Sequence, residues 1–251
     1  MTDASAQPAA PTLEEVLGAY GEVETQALGR IQAFTAKAMT RSWTTIPHVF
    51  HHDRIDVTAL EGTRQRSNEE RPAGARLTPL PYLLKAVAGV LRRLPRFNAA
   101  LDEAKRQIIL RKYCNLGVAI DTQAGLVVGV IRNCDRLSLE ELGAEAKALS
   151  EQARGKGLSL SQMSGGCFTL SSLGPLGGDG FTPIINAPEV AILGISRVDE
   201  TPRRASDGGV EWRKLLPVTL SYDHRVVNGA DAGRFMHALQ AEVDALAAGK
   251  I

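Results

Sequence analysis

The sequence predicts an α/β domain built on a mixed sheet. Three observations carry this. Apolar runs of strand length, among them CFTLSSL, EVAILGISRV and LLPVTLSY, alternate with stretches whose apolar residues recur at helical spacing. Two short β-rich runs, NLGVAIDT and GLVVGVI, are joined by TQAG, a hairpin signal. No internal repeat or interdomain linker interrupts the 251 residues, a length that supports one large core.

The elements follow in order. Residues 1–11 are rich in Ala, Pro, Ser and Gln and read as a disordered leader, so the folded domain is expected over 12–251. Thr12 and Glu15 form a capping box for a short helix. Leu28, Ile31, Phe34, Ala38 and Met39 recur at helical spacing within a helix near residues 28–43. IPHVFHHDRIDVTAL reads as extended, because Pro47 disfavours helix at Ile46 and β-branched and aromatic residues follow. The charged stretch 59–76, with RPAG inside it, reads as containing a loop. TPLPYLLKAVAGVLRRL is a long buried helix, with Leu80, Leu84, Val87, Leu91 and Leu94 on one stripe. RQIILRKY and the two hairpin runs are strands. Ser138 and Glu141 cap a helix to about residue 155. Three strands come next, with TPRRASDGGVEW as a polar loop among them. A helix from about residue 230 to 247 closes the chain, with Phe235, Leu239, Val243 and Leu246 in phase.

Composition excludes several functions. A formal net charge of +1 gives no electrostatic case for nucleic acid or an anionic membrane surface. No apolar run reaches the roughly 20 residues of a membrane helix. MTDASAQPAAP has no basic segment followed by an apolar one, so it is not a secretory signal. Cys114, Cys134 and Cys167 are widely spaced and odd in number, which fits packing residues in a reducing cytoplasm. HVFHHD invites a metal site, but alternation puts His48 and His52 on one face and His51 on the other, and no further ligand set is present. GPLGGDG fits neither GxGxxG nor a P-loop and reads as a turn after a strand.

SYDHRVVNGADAGRF, residues 221–235, is the richest stretch. His224 follows a buried strand and precedes a helix, a junction where side chains reach into clefts. Its imidazole is available as a base near neutral pH, and it is equally a polar residue on a turn. Asn228 stands just before the last helix and is well suited to cap it.

SYDHRVVNGADAGRF resembles the C-terminal signature of the dihydrolipoamide acyltransferases, the core components of 2-oxoacid dehydrogenase complexes. GGCFTLSSLGPLGG, FTPIINAPEVAILGIS, LPRFNAAL, GVAIDTQAGLVV and IPHVFHHDRIDVTAL also resemble that family, in its order. The likeness runs from about Gly21 to the last helix and is strongest to the pyruvate-type acetyltransferases.

The resemblance implies a chloramphenicol acetyltransferase-like fold, a mixed sheet flanked by helices, as a trimeric building block. It implies acyl transfer, acetyl by default, between coenzyme A as substrate and dihydrolipoamide, with no metal. By motif, His224 is the base that takes a thiol proton, Ser171 the hydroxyl that stabilises the oxyanion, and Asn228 an orienting residue. Arg64 falls where the family has a basic residue near the coenzyme A phosphates. Ser172, the next residue on the strand, would face the other side. In such trimers the site lies between subunits, and trimers build cubic or dodecahedral cages. The implied partners are copies of the chain itself and the lipoyl-bearing and dehydrogenase components of a 2-oxoacid dehydrogenase complex.

Neither a lipoyl domain nor a peripheral-subunit-binding domain is found in these residues, so the lipoyl group is expected from another domain or chain. Gly129 stands where the family usually has Pro. Two alternatives remain open: a coenzyme A-dependent acyltransferase acting on a hydroxyl or amine, and a non-catalytic core scaffold.

Overall fold

The computed structural model describes residues 10–250. The expected leader lies almost wholly outside them. The elements are α1 (Leu13–Gly18), α2 (Arg30–Thr45), β1 (His48–Asp56), α3 (Thr58–Glu69), α4 (Pro79–Arg93), β2 (Ala99–Asp102), β3 (Gln107–Leu110), β4 (Leu116–Ile120), β5 (Val127–Ile131), α5 (Leu139–Arg154), α6 (Leu160–Met163), β6 (Phe168–Ser172), β7 (Ala191–Ile195), β8 (Asp199–Arg204), β9 (Val210–Asp223) and α7 (Gly229–Ala247).

Seven strands form a mixed sheet in the order β1-β9-β7-β6-β4-β5, with β8 extending β9. β6 is parallel to β4 and to β7, and the other pairs are antiparallel. β2 and β3 form a separate ribbon. The expected mixed α/β sheet is therefore present, including the TQAG hairpin between β4 and β5.

The period of two sorts the sheet into two faces. Leu216, Val218, Leu220 and Tyr222 of β9 join Leu193 of β7, Phe168 and Leu170 of β6 and Leu116 of β4 in the main core. Helices α3, α4, α5 and α7 supply the rest of that core, with Leu84, Val87 and Leu91 of α4 and Phe235, Leu239 and Val243 of α7 all buried. The opposite face carries polar residues on β6 and β9, with Thr169, Thr219 and Ser221 buried there. Segment 177–190 covers part of it, and Ile185 packs with Ile192 and Ile46 in a small second core. Among the described residues no helix is long and apolar enough to cross a membrane.

The capping boxes at Thr12–Glu15 and Ser138–Glu141 are both formed. Two expectations are corrected. The charged stretch after β1 opens with a 12-residue helix, α3, before the RPAG turn. Its core anchors are sparse, chiefly Leu60 and the buried amide of Asn68, which exchanges two hydrogen bonds with the Leu77 backbone. A helix held this way carries little apolar periodicity for a sequence reading to find. TPRRASDGGVEW is a hairpin, not a loop. β8 pairs with the first half of β9, turning through Gly208 at φ 86° while Asp207 accepts from the Gly209 amide. β8 is an exposed edge strand, so it lacks the alternation that marks a half-buried one.

Gly129 also differs from expectation. The family's proline at that position suggests a strand end, but Gly129 lies mid-strand in β5, and a Cβ there would stand 2.6 Å from Leu149 Cδ2 of α5. Its smallness lets the helix settle on the sheet.

Candidate active site

β6 places Ser171 and Ser172 on opposite faces, as alternation requires. Ser171 is half-buried and lines a groove of about 1240 Å³. Ser172 is exposed, and its Oγ accepts from the Gly174 amide at 3.3 Å. The groove runs between the sheet, α2 and segment 181–186. Its walls are largely apolar: Phe34 and Met39 from α2, Val128 from β5, Met163 from α6, Phe181 and Ile192. Thr169 lies on the same wall as Ser171, two residues earlier on β6. Ser171 pairs with Gly194 of β7, where an ideal Cβ would stand 3.1 Å from Phe181 and Pro183.

His224 stands on the turn between β9 and α7 and is exposed. Several bonds fix that turn. The His224 amide donates to Pro47 O at 3.1 Å, and the amides of Val226 and Val227 both donate to Asp223 O at 3.0 Å. Asp223 and Arg225 grip each other across His224 in a bidentate pair, Nε to Oδ1 at 2.9 Å and Nη2 to Oδ2 at 2.7 Å. The Asp223 carboxylate is buried, and its hydrogen bond raises the pKa of the Arg225 guanidinium. Arg225 Nη1 reaches Glu103 at the turn of the β2–β3 ribbon, at 2.7 Å. The imidazole lies 6.1 Å from the Tyr222 ring, centroid to centroid. The imidazole is thus carried on a turn held by several bonds and points to the outside.

Asn228 caps α7. Its Oδ1 accepts from the Asp231 amide at 3.0 Å, and the Asp231 carboxylate reaches back to its backbone N–H. The carboxamide N–H groups have no partner among the described residues, so Asn228 can cap and still donate toward a neighbour of His224.

Strand registry does not bring His224 and Ser171 together in one chain. Ser171 is level with Gly194, and Gly194 with Thr219. His224 lies five residues beyond Thr219, about 17 Å along the strand, and two strand spacings add about 10 Å across. The separation is far beyond the reach of the two side chains.

Arg64 is not at the groove. It sits on α3, on the helical side of the sheet, beside Val57, Leu60, Tyr82 and Leu216. Its Nε donates to Glu61 Oε2 and its Nη1 to Leu77 O, both at 2.8 Å, and its Nη2 donates to Glu61 Oε1 at 2.5 Å. That pair raises the arginine's pKa and lowers that of Glu61.

His48 and His52 share a face. His48 Nδ1 meets Ile46 O at 2.8 Å, and its Nε2 accepts from the Ile185 amide at 3.0 Å. His52 Nδ1 meets Thr219 Oγ1 at 2.9 Å. The three cysteines are distant in sequence but converge at the ends of β4, β5 and β6. The Cys134 amide donates to Cys114 O, and Cys167 donates to Asn115 O. All three are free and buried, and burial pushes the Cys134 thiol up to about 12.

Sequence reasoning passed over Glu189, which is buried at the head of β7 and receives the Thr169 hydroxyl at 2.7 Å. The available signal was an acid placed directly before the wholly apolar run VAIL. It also passed over the Asp223–Arg225 pair, whose two members flank the candidate base in the sequence itself.

The fold defined by this sheet and its flanking helices is that of chloramphenicol acetyltransferase, one solved structure of which superposes with a TM-score of 0.54 over 82% of this chain and 94% of that one, at 14% identity. The likeness becomes one of sequence as well with a second group. The solved dihydrolipoamide acetyltransferase of Azotobacter vinelandii superposes with a TM-score of 0.86 at 44% identity, covering 96% of this chain and 97% of that one. A structure of the cubic core of the pyruvate dehydrogenase multienzyme complex matches with the same TM-score, identity and coverage. The family model described as 2-oxoacid dehydrogenases acyltransferase (catalytic domain) matches residues 20–248. The dihydrolipoyllysine-residue acetyltransferase component of the pyruvate dehydrogenase complex from Pseudomonas aeruginosa is 48% identical over 233 residues, covering 91% of this chain and 42% of that protein. The chain belongs to the 2-oxoacid dehydrogenase acyltransferase family and spans about two fifths of the length of such relatives.

Proposed function

We propose that this chain transfers an acetyl group between coenzyme A and dihydrolipoamide, at sites completed by neighbouring copies. The observation that carries the reading is the separation of two complementary half-sites. One is an exposed imidazole on a braced turn; the other is a hydroxyl on the wall of an apolar groove. Each lacks in its own chain what the other supplies.

The chemistry follows from the residues. A thiol has a pKa of about 8.5, and only its thiolate is a strong nucleophile. The neutral His224 imidazole accepts the thiol proton as sulfur attacks the thioester carbonyl. The tetrahedral intermediate carries an oxyanion, and Ser171 Oγ donates a hydrogen bond to it. Collapse breaks the old C–S bond, and the imidazolium returns the proton to the leaving thiolate. Both thiols meet at the base, so no acyl-enzyme forms. The apolar groove suits the alkyl arm of a dihydrolipoyl group, and the transfer needs no metal.

The Azotobacter structure comes from a study of a serine, a histidine and an asparagine in that enzyme's mechanism. Its histidine and asparagine are four residues apart, as His224 and Asn228 are. Its serine precedes the histidine by 52 residues, a spacing that Ser172 has here and that Ser171 exceeds by one. The groove supports Ser171, which faces it where Ser172 does not.

We assign Arg64 a tether between α3 and Leu77, since three of its donors are already held there. Two N–H groups of its five are left for a phosphate. The same reading places the chain in a trimer and a larger core of a pyruvate dehydrogenase complex, with the lipoyl group brought by another domain or chain. Free buried thiols suit a reducing, cytoplasmic setting. His224→Ala is expected to abolish acetyl transfer from acetyl-CoA to free dihydrolipoamide while the assembly persists by light scattering; undiminished transfer would sink the proposal.

A further inference from the structure

Among the described residues, three carboxyl side chains are almost wholly buried near the sheet or its helices. Asp223 has Arg225 and Glu242 has Arg93 as ion-pair partners, but Glu189 has none. Its carboxylate accepts from the Thr169 hydroxyl at 2.7 Å. The pair sits in space cleared by two glycines. A Cβ on Gly117 of β4 would stand 2.6 Å from Thr169 Oγ1, and one on Gly166 would stand 2.9 Å from Glu189 Oε1. Two adjacent segments thus give up side chains where this bond forms.

The location ties the bond to the chemistry. Thr169 is two residues before Ser171 and shares its face of β6, and both line the groove. Glu189 heads β7, the strand whose Gly194 lies beside Ser171. The next residue, Val190, accepts the backbone N–H of Asp223, one residue before His224. Glu189 therefore joins the strand that carries the donor to the segment that abuts the turn carrying the base.

We propose that Glu189 is a positioning residue for acyl transfer: by receiving the Thr169 hydroxyl in the Gly117–Gly166 cradle, it fixes how β6 presents Ser171 to the groove. The inference rests on the assignment of Ser171 as oxyanion donor. A buried hydrogen bond between neighbouring strands holds both partners to tenths of an ångström, and a donor displaced by about 1 Å loses up to about 100-fold in rate. Burial pushes the Glu189 carboxyl up to about 8, with the Thr169 hydrogen bond opposing. Cys167 and Arg111 are the other ionisable groups acting on it, the thiol raising its pKa and the guanidinium lowering it.

The test uses the full chain in its assembled state, with acetyl-CoA and free dihydrolipoamide. Thr169→Val is expected to lower kcat about 10- to 100-fold, with both KM values within about two-fold of the parent. Thr169→Ser restores the hydroxyl and is expected to recover most of the rate. Glu189→Ala is expected to behave like Thr169→Val, and Glu189→Gln, whose amide oxygen still accepts, to retain most of the rate. In a Ser171→Ala background, Thr169→Val is expected to have no further effect. An undiminished kcat in Thr169→Val overturns the proposal, as does an equal slowing with and without Ser171. If Ser171→Ala itself runs at the parental rate, the oxyanion assignment falls and the positioning role with it. Failure confined to the Thr169 and Glu189 series leaves Ser171 standing. If Glu189→Ala does not fold, the Thr169 pair decides alone.

Discussion

Ser171 lies on β6 and His224 directly after the end of β9, two strands away and five residues out of level, so no rotamer of either brings them into contact within a chain. The imidazole is exposed and the hydroxyl faces a groove. Acyl transfer needs both within hydrogen-bond reach of one reacting carbon. The proposed trimer would meet that demand with three equivalent interfaces, each joining a histidine of one copy to a serine of the next.

Mixing inactive variants tests this arrangement. His224→Ala and Ser171→Ala, each assembled alone, leave every site defective. In a randomly mixed one-to-one assembly about a quarter of the interfaces pair an intact histidine with an intact serine. Activity is expected to return to about a quarter of the parental rate after unfolding and joint refolding. Recovery no greater than the sum of the separate variants would place both groups in one chain or in different reactions.

The capping role of Asn228 is open to substitution. Asn228→Ala removes the cap of α7, and a loss of about 1 kcal/mol is expected in urea unfolding. Asn228→Asp keeps an N-cap acceptor and adds a negative charge at the helix N-terminus, so its midpoint is expected to match the parent. An aspartate variant as unstable as the alanine variant would refute the capping role seen at Asp231 N.

Much of the fold was legible in particular residues. The stripe of Leu84, Val87 and Leu91, the capping pairs at Thr12 and Ser138, and the TQAG hairpin each have a local cause, and each forms as read. α3 and the β8–β9 hairpin were misread because neither buries a periodic apolar face. The candidate site was legible residue by residue but not as a geometry. The motif pointed to Ser171 and alternation put Ser172 on the other face, whereas the distance of Ser171 from His224 follows from registry among β6, β7 and β9, which no short stretch encodes. Arg64 shows the opposite limit: the sequence placed a cation, and the structure gives it to Glu61, three residues away on the same helix.

Arg64→Met follows from that pairing. It removes two bonds to Glu61 and one to Leu77 O. The pair is partly exposed, so a stability loss of about 1–2 kcal/mol is expected. The KM for coenzyme A is expected to stay within about two-fold. A ten-fold rise in that KM with stability unchanged would return the arginine to the phosphates.

Gly129 tests the packing of α5 on the sheet. Gly129→Ala places a methyl group where Leu149 Cδ2 and Cγ stand, at 2.6 and 2.8 Å from an ideal Cβ. Overpacking of this kind costs about 1–3 kcal/mol. In a Leu149→Ala background the same change is expected to cost little, since the collision is gone. Equal costs in both backgrounds would show that the strand rejects the alanine for another reason.

Glu189 gives the protein a pH dependence whose sign is fixed by burial. Its carboxyl titrates at about 8 in the folded chain, against 4.5 for the ordinary group. Between those values the folded state holds a proton that the unfolded state has released, so stability falls as pH rises through this window. Below the lower value the contribution is complete; above the upper one it is lost. A shift of this size is worth on the order of a few kcal/mol. The urea midpoint of the parent is therefore expected to decline from pH 5 to pH 8.5, and that of Glu189→Gln, which cannot ionise, to decline measurably less. Parallel curves for the two proteins would mean that the buried carboxyl is already charged at neutral pH, with a counter-charge compensating for its burial.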